Sequence, residues 1–251
     1  MAHSDRFTGK VAVVTGGCSG IGKAIAARYI TDGGKVVIGD IQDNLFEAVT
    51  AELGAENVCC RHCDVSRKED VDALVQTAYD MFGDFDVMFN NAGINIFRDF
   101  LECTIEDSDK IFNVNYRGCF LGSQAAARAF IAHGKKGVIV NTSSINFRCV
   151  TPNTTCYAAS KGAISMFTRG IAVELAPYGI RCNAFGPGST DTPMVGDCAR
   201  DRFPTYTAPK LAIKRMARPE EQAAVACFLA SDDASYMTGE TVFNVGGWGI
   251  S

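Results

Sequence analysis

Residues 11–22 read Val-Ala-Val-Val-Thr-Gly-Gly-Cys-Ser-Gly-Ile-Gly, and the reading of this stretch decides the fold. The β-branched run from Val11 to Val14 predicts a strand. Helical spacing of apolar residues follows from Gly20 to Ile30. Between them, Thr15 to Gly22 form a glycine-rich turn that opens directly onto the helix. Glycines there let the backbone approach a pyrophosphate, which free N–H groups and the positive end of the helix can hold. The spacing is G-x-x-x-G-x-G rather than G-x-G-x-x-G, so the position between strand and helix carries the reading.

Outward from that unit, strand and helix patterns alternate along the whole chain. Strands are expected at Val36–Ile38, Val58–Cys63, Val87–Phe89, Val138–Val140, Ile180–Phe185 and Thr241–Val245. Helices are expected at Leu45–Leu53, Asp70–Phe82, Ile105–His133, Thr154–Tyr178 and Glu220–Ala230. The strands are continuously apolar, as a sheet covered on both faces requires. The implied fold is α/β, a Rossmann-type, doubly wound, mostly parallel sheet of seven strands with helices on both faces. The expectation is a single domain over residues 1–251. One long irregular stretch, about 189–218, reads as a substrate lid.

The composition bounds the function. The 251 residues are 47% hydrophobic and 21% charged, with a net charge of -4, which gives no basic footprint for nucleic acid. The polar start, Met1 to Lys10, lacks the apolar core of a signal peptide, and no apolar run has membrane-spanning length. The expectation is therefore a cytoplasmic protein with no membrane partner. Its eleven cysteines, an odd number, are then expected to be reduced. Cys59, Cys60, His62 and Cys63 include a C-x-x-C spacing, but an extended strand would put Cys60 and Cys63 on opposite faces. No metal site is expected. Asn141-Thr-Ser and Asn153-Thr-Thr match a glycosylation pattern that carries no meaning without secretion.

Asp40 closes the second strand, 18 residues beyond Gly22. A carboxylate there can accept the adenosine ribose hydroxyls and would repel a 2′-phosphate, while Ser19, Gly39 and Ile41 offer no compensating cation. NAD is the expected cofactor. Tyr157 and Lys161, four apart on an expected helix, share a face. An ammonium beside a phenol favours the phenolate and lowers a pKa that is ordinarily about 10. Tyr157 is then suited to move the proton that accompanies hydride transfer at a carbinol carbon.

With Thr15 to Gly22, Asn90-Asn91-Ala92-Gly93, Asn115, Ser144, Tyr157-x-x-x-Lys161 and Pro187-Gly188 in this order, the chain resembles the classical short-chain dehydrogenase/reductase family over essentially its full length. The resemblance implies a catalytic set of Asn115, Ser144, Tyr157 and Lys161. Ser144 would hold the substrate oxygen, Lys161 would also bind the nicotinamide ribose, and Asn115 would support a proton relay. Asn113 is the neighbour to be distinguished from Asn115, and Ser143, facing the opposite way along a strand, from Ser144. For the cofactor it implies Gly16, Ser19, Gly20, Ile21 and Gly22 at the pyrophosphate, with Asp40 at the ribose. Asp64 and Val65 would meet the adenine, and Asn91, Ala92 and Gly93 would pass beneath the cofactor. Pro187, Gly188, Thr190 and Thr192 would hold the carboxamide. It also implies a homotetramer. The chain departs from the family where Val-Asp-Gly-Gly is replaced by Asn244-Val245-Gly246-Gly247, which removes a carboxylate and puts the subunit contact there in doubt.

The implied activity is NAD-dependent interconversion of a secondary alcohol and a ketone, for example a hydroxysteroid. A 3-oxoacyl-thioester reductase and a sugar-alcohol or diol dehydrogenase are the alternatives, and a catalytically inactive dinucleotide sensor is the non-enzymatic one. A serine hydrolase is excluded: no G-x-S-x-G elbow exists, and His3, His62 and His133 are the sole histidines. Expected substrate contacts are Ser144, Asn146, Asn153 and Tyr157, with Asn95 and Arg148 as further lining. The lid mixes Met194, Phe203, Tyr206 and Leu211 with Arg200, Arg202, Lys210, Lys214 and Arg215. This mixture admits two readings, a bulky apolar substrate with an anionic group or a solvated charged surface.

Overall fold

β1 (Val11–Thr15) and α1 (Gly20–Thr31) form where the glycine-rich stretch predicts them. A computed structural model describes residues 5–196, 200–201 and 203–249; His3, Cys198 and Arg202 lie outside them. The strands that follow are β2 (Lys35–Asp40), β3 (Val58–His62), β4 (Val87–Asn90), β5 (Val138–Thr142), β6 (Arg181–Pro187) and β7 (Thr241–Asn244). They pair in the order β3-β2-β1-β4-β5-β6-β7, and every pairing is parallel. The expected seven-stranded doubly wound sheet is the sheet observed.

Alternation along each strand divides the apolar residues between two cores. Ala12, Val14, Val36, Ile38 and Phe89 pack on one face, against α1, α2 (Phe46–Leu53) and a late helix, Pro219–Ala230. Val11, Val13, Val37, Met88 and Ile139 pack on the other, against α3 (Lys68–Phe82), α5 (Gly118–Ala132) and α6 (Thr155–Leu175). The late helix, α7 here, lies beside α1. Cys60 joins the first core while Cys59 and Cys63 join the second, so the C-x-x-C pair does straddle the sheet.

One expected helix is divided. Residues 105–133 form α4 (Ile105–Phe112), a π-helical turn (Asn113–Arg117) and α5, continuous along the chain. α4 begins in a reciprocal capping box, with Thr104 accepting from the Asp107 N–H and Asp107 accepting from the Thr104 N–H. The wide turn has a local cause: Gly118 bonds back to the Asn113 carbonyl, five residues away, and packs against Val65 with no room for a side chain.

The lid segment has structure of its own. Short turns at Pro193–Val195, Phe203–Thr207 and Ala208–Lys210 sit within it, and Thr190 bridges to Ala217 at its base. Leu211 leaves the lid for a small cluster with Ile145 and Trp248, against which Val245 packs. That cluster accounts for the departure at Asn244-Val245: the carboxylate of the family pattern gives way to an apolar residue in an apolar setting.

Phe130 is fully buried between α5 and the sheet and stacks on Phe85 at 4.7 Å between ring centroids. Phe130→Ala is expected to destabilise the fold by about 3–5 kcal/mol, the range for a buried aromatic replaced by a cavity, read from urea unfolding.

Candidate active site

The order of the strands reverses between β1 and β4, and a crevice opens there at the carboxyl ends of the strands. A cavity of about 1250 Å³ runs along it, large enough for a dinucleotide together with a substrate. One end is walled by Gly16, Ser19, Gly20 and Ile21, with Asp40, Asp64 and Val65 beside them. Asn91, Ala92 and Gly93 form the floor. Ser144, Tyr157 and Lys161 stand at the centre, near Pro187, Gly188, Thr190 and Thr192. Asn146 and Asn153 line the remaining end.

The glycine-rich turn fits a pyrophosphate for steric reasons. Gly16 takes φ +64°, and a Cβ there would stand 2.9 Å from the Ala92 Cα. A Cβ on Gly22 would overlap the Gly16 carbonyl. Ser19 caps α1 without a side-chain hydrogen bond, and no acidic residue occupies the first turn. The helix end is left to an anion. Asp40 is buried at the next position along the cavity, accepting from the Cys18 N–H at 3.0 Å and the Gln42 N–H at 3.1 Å. The Gln42 side-chain amide also donates to the same oxygen as the Gln42 N–H, and together these bonds fix the carboxylate. Asp64 is fixed likewise by Ser66, whose N–H and hydroxyl both donate to it. The residues present therefore suit a dinucleotide.

At the centre, β5 delivers Ser144 and α6 delivers Tyr157 and Lys161. Ser143 and Ser144 diverge as strand geometry requires: Ser143 bonds the Lys161 carbonyl and the Ser165 hydroxyl, whereas Ser144 hydrogen-bonds Tyr157. Lys161 is buried, donates to the Thr142 carbonyl at 2.8 Å and lies 5.6 Å from the centre of the Tyr157 ring. Burial pulls the lysine down to about 8. Burial also pushes the Tyr157 phenol above its ordinary value, with only the Ser144 hydrogen bond opposing it. The expected lowering of the phenol by Lys161 is thus corrected: in the chain alone, desolvation outweighs the neighbouring ammonium.

Two expected site residues stand behind the wall. Gly22 supports the turn from beneath, and Asn115 is 1% exposed. The Asn115 amide accepts from the Ile94 N–H and donates to the Ile94 carbonyl and the Ser160 hydroxyl. It ties the floor after β4 to α6. Asn113, its sequence neighbour, is exposed and touches the cavity edge.

The described lid cations are engaged with neighbouring groups of the chain. Arg200 pairs with Asp191 at 2.9 Å, Arg215 with Glu221 at 2.7 Å, Lys210 lies 3.5 Å over the Tyr206 ring, and Lys214 donates to the Pro209 carbonyl. Arg148, expected in the lining, stacks over Phe243 at 4.1 Å. Among the described lid cations, then, each has a protein partner, while Lys110 of α4 lines the cavity. Asn95 does line the cavity, with its buried Oδ1 unpartnered. Sequence reasoning missed Phe97 and Trp248, which also line it. Both come from loops that no periodicity marks.

The site's similarity to known proteins follows. Residues 16–249 match the family model described as enoyl-(acyl carrier protein) reductase. Momilactone A synthase of Oryza sativa subsp. japonica is 38% identical over 99% of this chain and 93% of its own. Glucose 1-dehydrogenase 2 of Bacillus subtilis is 38% identical over 96% and 95%. A crystal structure of a short-chain type dehydrogenase/reductase from Mycobacterium marinum superposes with a TM-score of 0.93, at 32% identity over 98% of this chain and 99% of that one.

Gly22→Ala is expected to weaken dinucleotide binding at least about tenfold, because the added methyl displaces the turn that the glycines permit. Titration of NADH fluorescence measures the change, and an unaltered affinity would refute the steric reading of the turn.

Proposed function

We infer the reaction from one premise: this chain belongs to the classical short-chain dehydrogenase/reductase family and is an oxidoreductase acting on a small molecule. The proposed reaction interconverts a secondary alcohol and a ketone, with NAD as the preferred dinucleotide. The observation that carries it is the half-buried Tyr157, lining the cavity with Ser144 and flanked by Lys161, at the centre of the crevice that the glycine turn opens.

A bound nicotinamide dinucleotide supplies the hydride acceptor or donor. The chain's residues would do the rest. Gly16, Ser19, Gly20 and Ile21 would hold the pyrophosphate, and Asp40 the adenosine ribose hydroxyls. Asp64 and Val65 would bound the adenine, and Thr190 and Thr192 the carboxamide. Ser144 would orient the substrate oxygen, and Tyr157 would take its proton in oxidation or give it in reduction. Lys161 would bind the nicotinamide ribose and bias Tyr157 toward the phenolate once the cofactor is in place.

The finer substrate reading is a bulky secondary alcohol, of which a hydroxysteroid is one example. Its support is the lining by Phe97, Met194, Phe203, Tyr206 and Trp248. The two named relatives act on, or make, compounds as unlike as glucose and momilactone A, so a panel of steroid, sugar and aliphatic alcohols is the direct test. Homotetramer assembly and a cytoplasmic location are proposed on family resemblance; no helix among the described residues is long and apolar enough to cross a membrane.

Tyr157→Phe is expected to lower kcat by at least about 10²-fold with dinucleotide affinity retained, and near-normal turnover would sink the mechanism. The pH dependence follows from the raised phenol. Oxidation needs Tyr157 ionised and should accelerate as pH rises through the alkaline range. Reduction needs it protonated and should slow over the same range. NADH fluorescence quenching without turnover of any alcohol would favour a dinucleotide sensor instead. Asp40→Ala should lower NAD affinity at least about tenfold and narrow the preference over NADP; faster wild-type turnover with NADP would overturn the assignment.

A further inference from the structure

The chain carries a pair of thiols beside, but outside, the site just described. Cys103 sits at the end of the irregular segment after β4, immediately before the Thr104 cap of α4. Cys156 sits in the first turn of α6, one residue before Tyr157. They are 53 residues apart in sequence, yet their sulfurs are 3.5 Å apart, and both side chains are half-buried rather than sealed in a core. Neither lines the cavity. The other cysteine contact, between Cys18 and Cys60, lies beneath Asp40, with Cys18 buried in the core.

We propose that Cys103 and Cys156 are a site of reversible oxidation by hydroperoxides, closing a disulfide that staples the segment before α4 to the start of α6. The two sulfurs need to approach by about 1.5 Å to reach the disulfide length of about 2.05 Å. The single hydrogen of the Cys103 thiol can be given to the Thr104 carbonyl, which leaves the Cys103 sulfur facing Cys156. The attacking sulfur is then assigned to Cys156. It gives up its proton and displaces alkoxide or hydroxide from the peroxide: the O–O bond breaks, an S–O bond forms, and the sulfur becomes a sulfenic acid. The departing oxygen takes up a proton and leaves as alcohol or water. The Cys103 sulfur then attacks Cys156, passing its proton to the hydroxyl, which departs as water as the S–S bond forms. In sum, two thiols and one hydroperoxide give one disulfide, one alcohol or water, and one water.

The consequence for turnover rests on the proposed role of Tyr157. Closing the pair draws the first turn of α6 toward Cys103, and with it the hydroxyl that must meet the substrate oxygen. A displacement of about 1 Å in a reacting group costs about 10²-fold in rate.

The test oxidises the full chain with hydrogen peroxide, alkylates the remaining thiols and maps the peptides. A linked 103–156 peptide, reversed by dithiothreitol, is the expected result, with turnover at least about tenfold lower in the linked form. Cys103→Ser should block the link and accumulate a dimedone-reactive sulfenic acid at Cys156. The double variant Cys103→Ser, Cys156→Ser should keep basal turnover and lose peroxide sensitivity. Absence of the linked peptide while other thiols are consumed, or a Cys18–Cys60 link in its place, would overturn the site. A linked protein with unchanged turnover would overturn its consequence. Because the peptide map needs no substrate, failure of the proposed reaction would show separately, as reduced protein inactive on every alcohol.

Discussion

The ends of β1 and β4 are clamped together, and the rest of the site depends on that clamp. The Thr15 hydroxyl accepts from the Asn91 and Ala92 N–H groups, while the Asn91 amide donates to the Thr15 and Gly16 carbonyls. Two neighbouring parallel strands diverge here, because the chain crosses to opposite faces of the sheet after each. Diverging backbone leaves polar groups without ladder partners, and such groups are costly when buried. Asn91 and Thr15 supply the missing partners. They also set the distance between the turns, so that Gly16 can lie against Ala92 only by lacking a side chain. The phosphate turn and the cavity floor are therefore one rigid object.

A second polar network extends this rigidity to the catalytic helix. The Asn90 amide donates to the Ser123 hydroxyl and to Asn141, and the Asn141 amide donates to the Thr168 hydroxyl. Ser143 continues the line to Ser165 and the Lys161 carbonyl. The members of this network are buried, and they join β4, β5, α5 and α6. A purely apolar interface would let α6 slide by small amounts, since dispersion contacts are weakly directional. Directed hydrogen bonds do not tolerate that sliding. Asn115 adds the last tie, from Ile94 to Ser160, one residue before Lys161.

Much of this architecture is legible in the sequence, for physical reasons that vary by element. The strands are readable because residues buried on both faces leave an unbroken apolar run, as in Val11–Val14 and Val36–Ile38. The glycine turn is readable because only glycine fits it. The same logic separates Ser143 from Ser144, since strand geometry sends adjacent side chains apart. Periodicity was blind to the π turn at Asn113–Arg117, which alters hydrogen bonding without altering the apolar spacing enough to notice. It was blind also to Phe97 and Trp248 in the wall, because loop residues reach a cavity through tertiary path rather than local pattern. Charge in the lid left two readings open for a related reason. Arg215 looks available in the sequence, but its partner, Glu221, belongs to α7, six residues further on.

The Tyr157–Lys161 pair shows where a sequence argument about chemistry must yield to an argument about burial. Spacing on a helix brings the two side chains to one face and suggests a phenolate held by an ammonium. Burial opposes both charges at once: it pushes the phenol up and pulls the lysine down to about 8. A site built this way keeps the phenol protonated until another charge enters the crevice, while a lysine at about 8 still carries its charge at neutral pH. If a nicotinamide dinucleotide binds as proposed, its oxidised ring would bring a positive charge that favours an ionised Tyr157, and its neutral reduced form would remove that bias. Tyr157 would then hold a proton to donate in reduction and be poised to accept one in oxidation. In the proposed reaction, the low-dielectric setting that is unfavourable for either charge alone would let the state of the cofactor set the protonation of Tyr157.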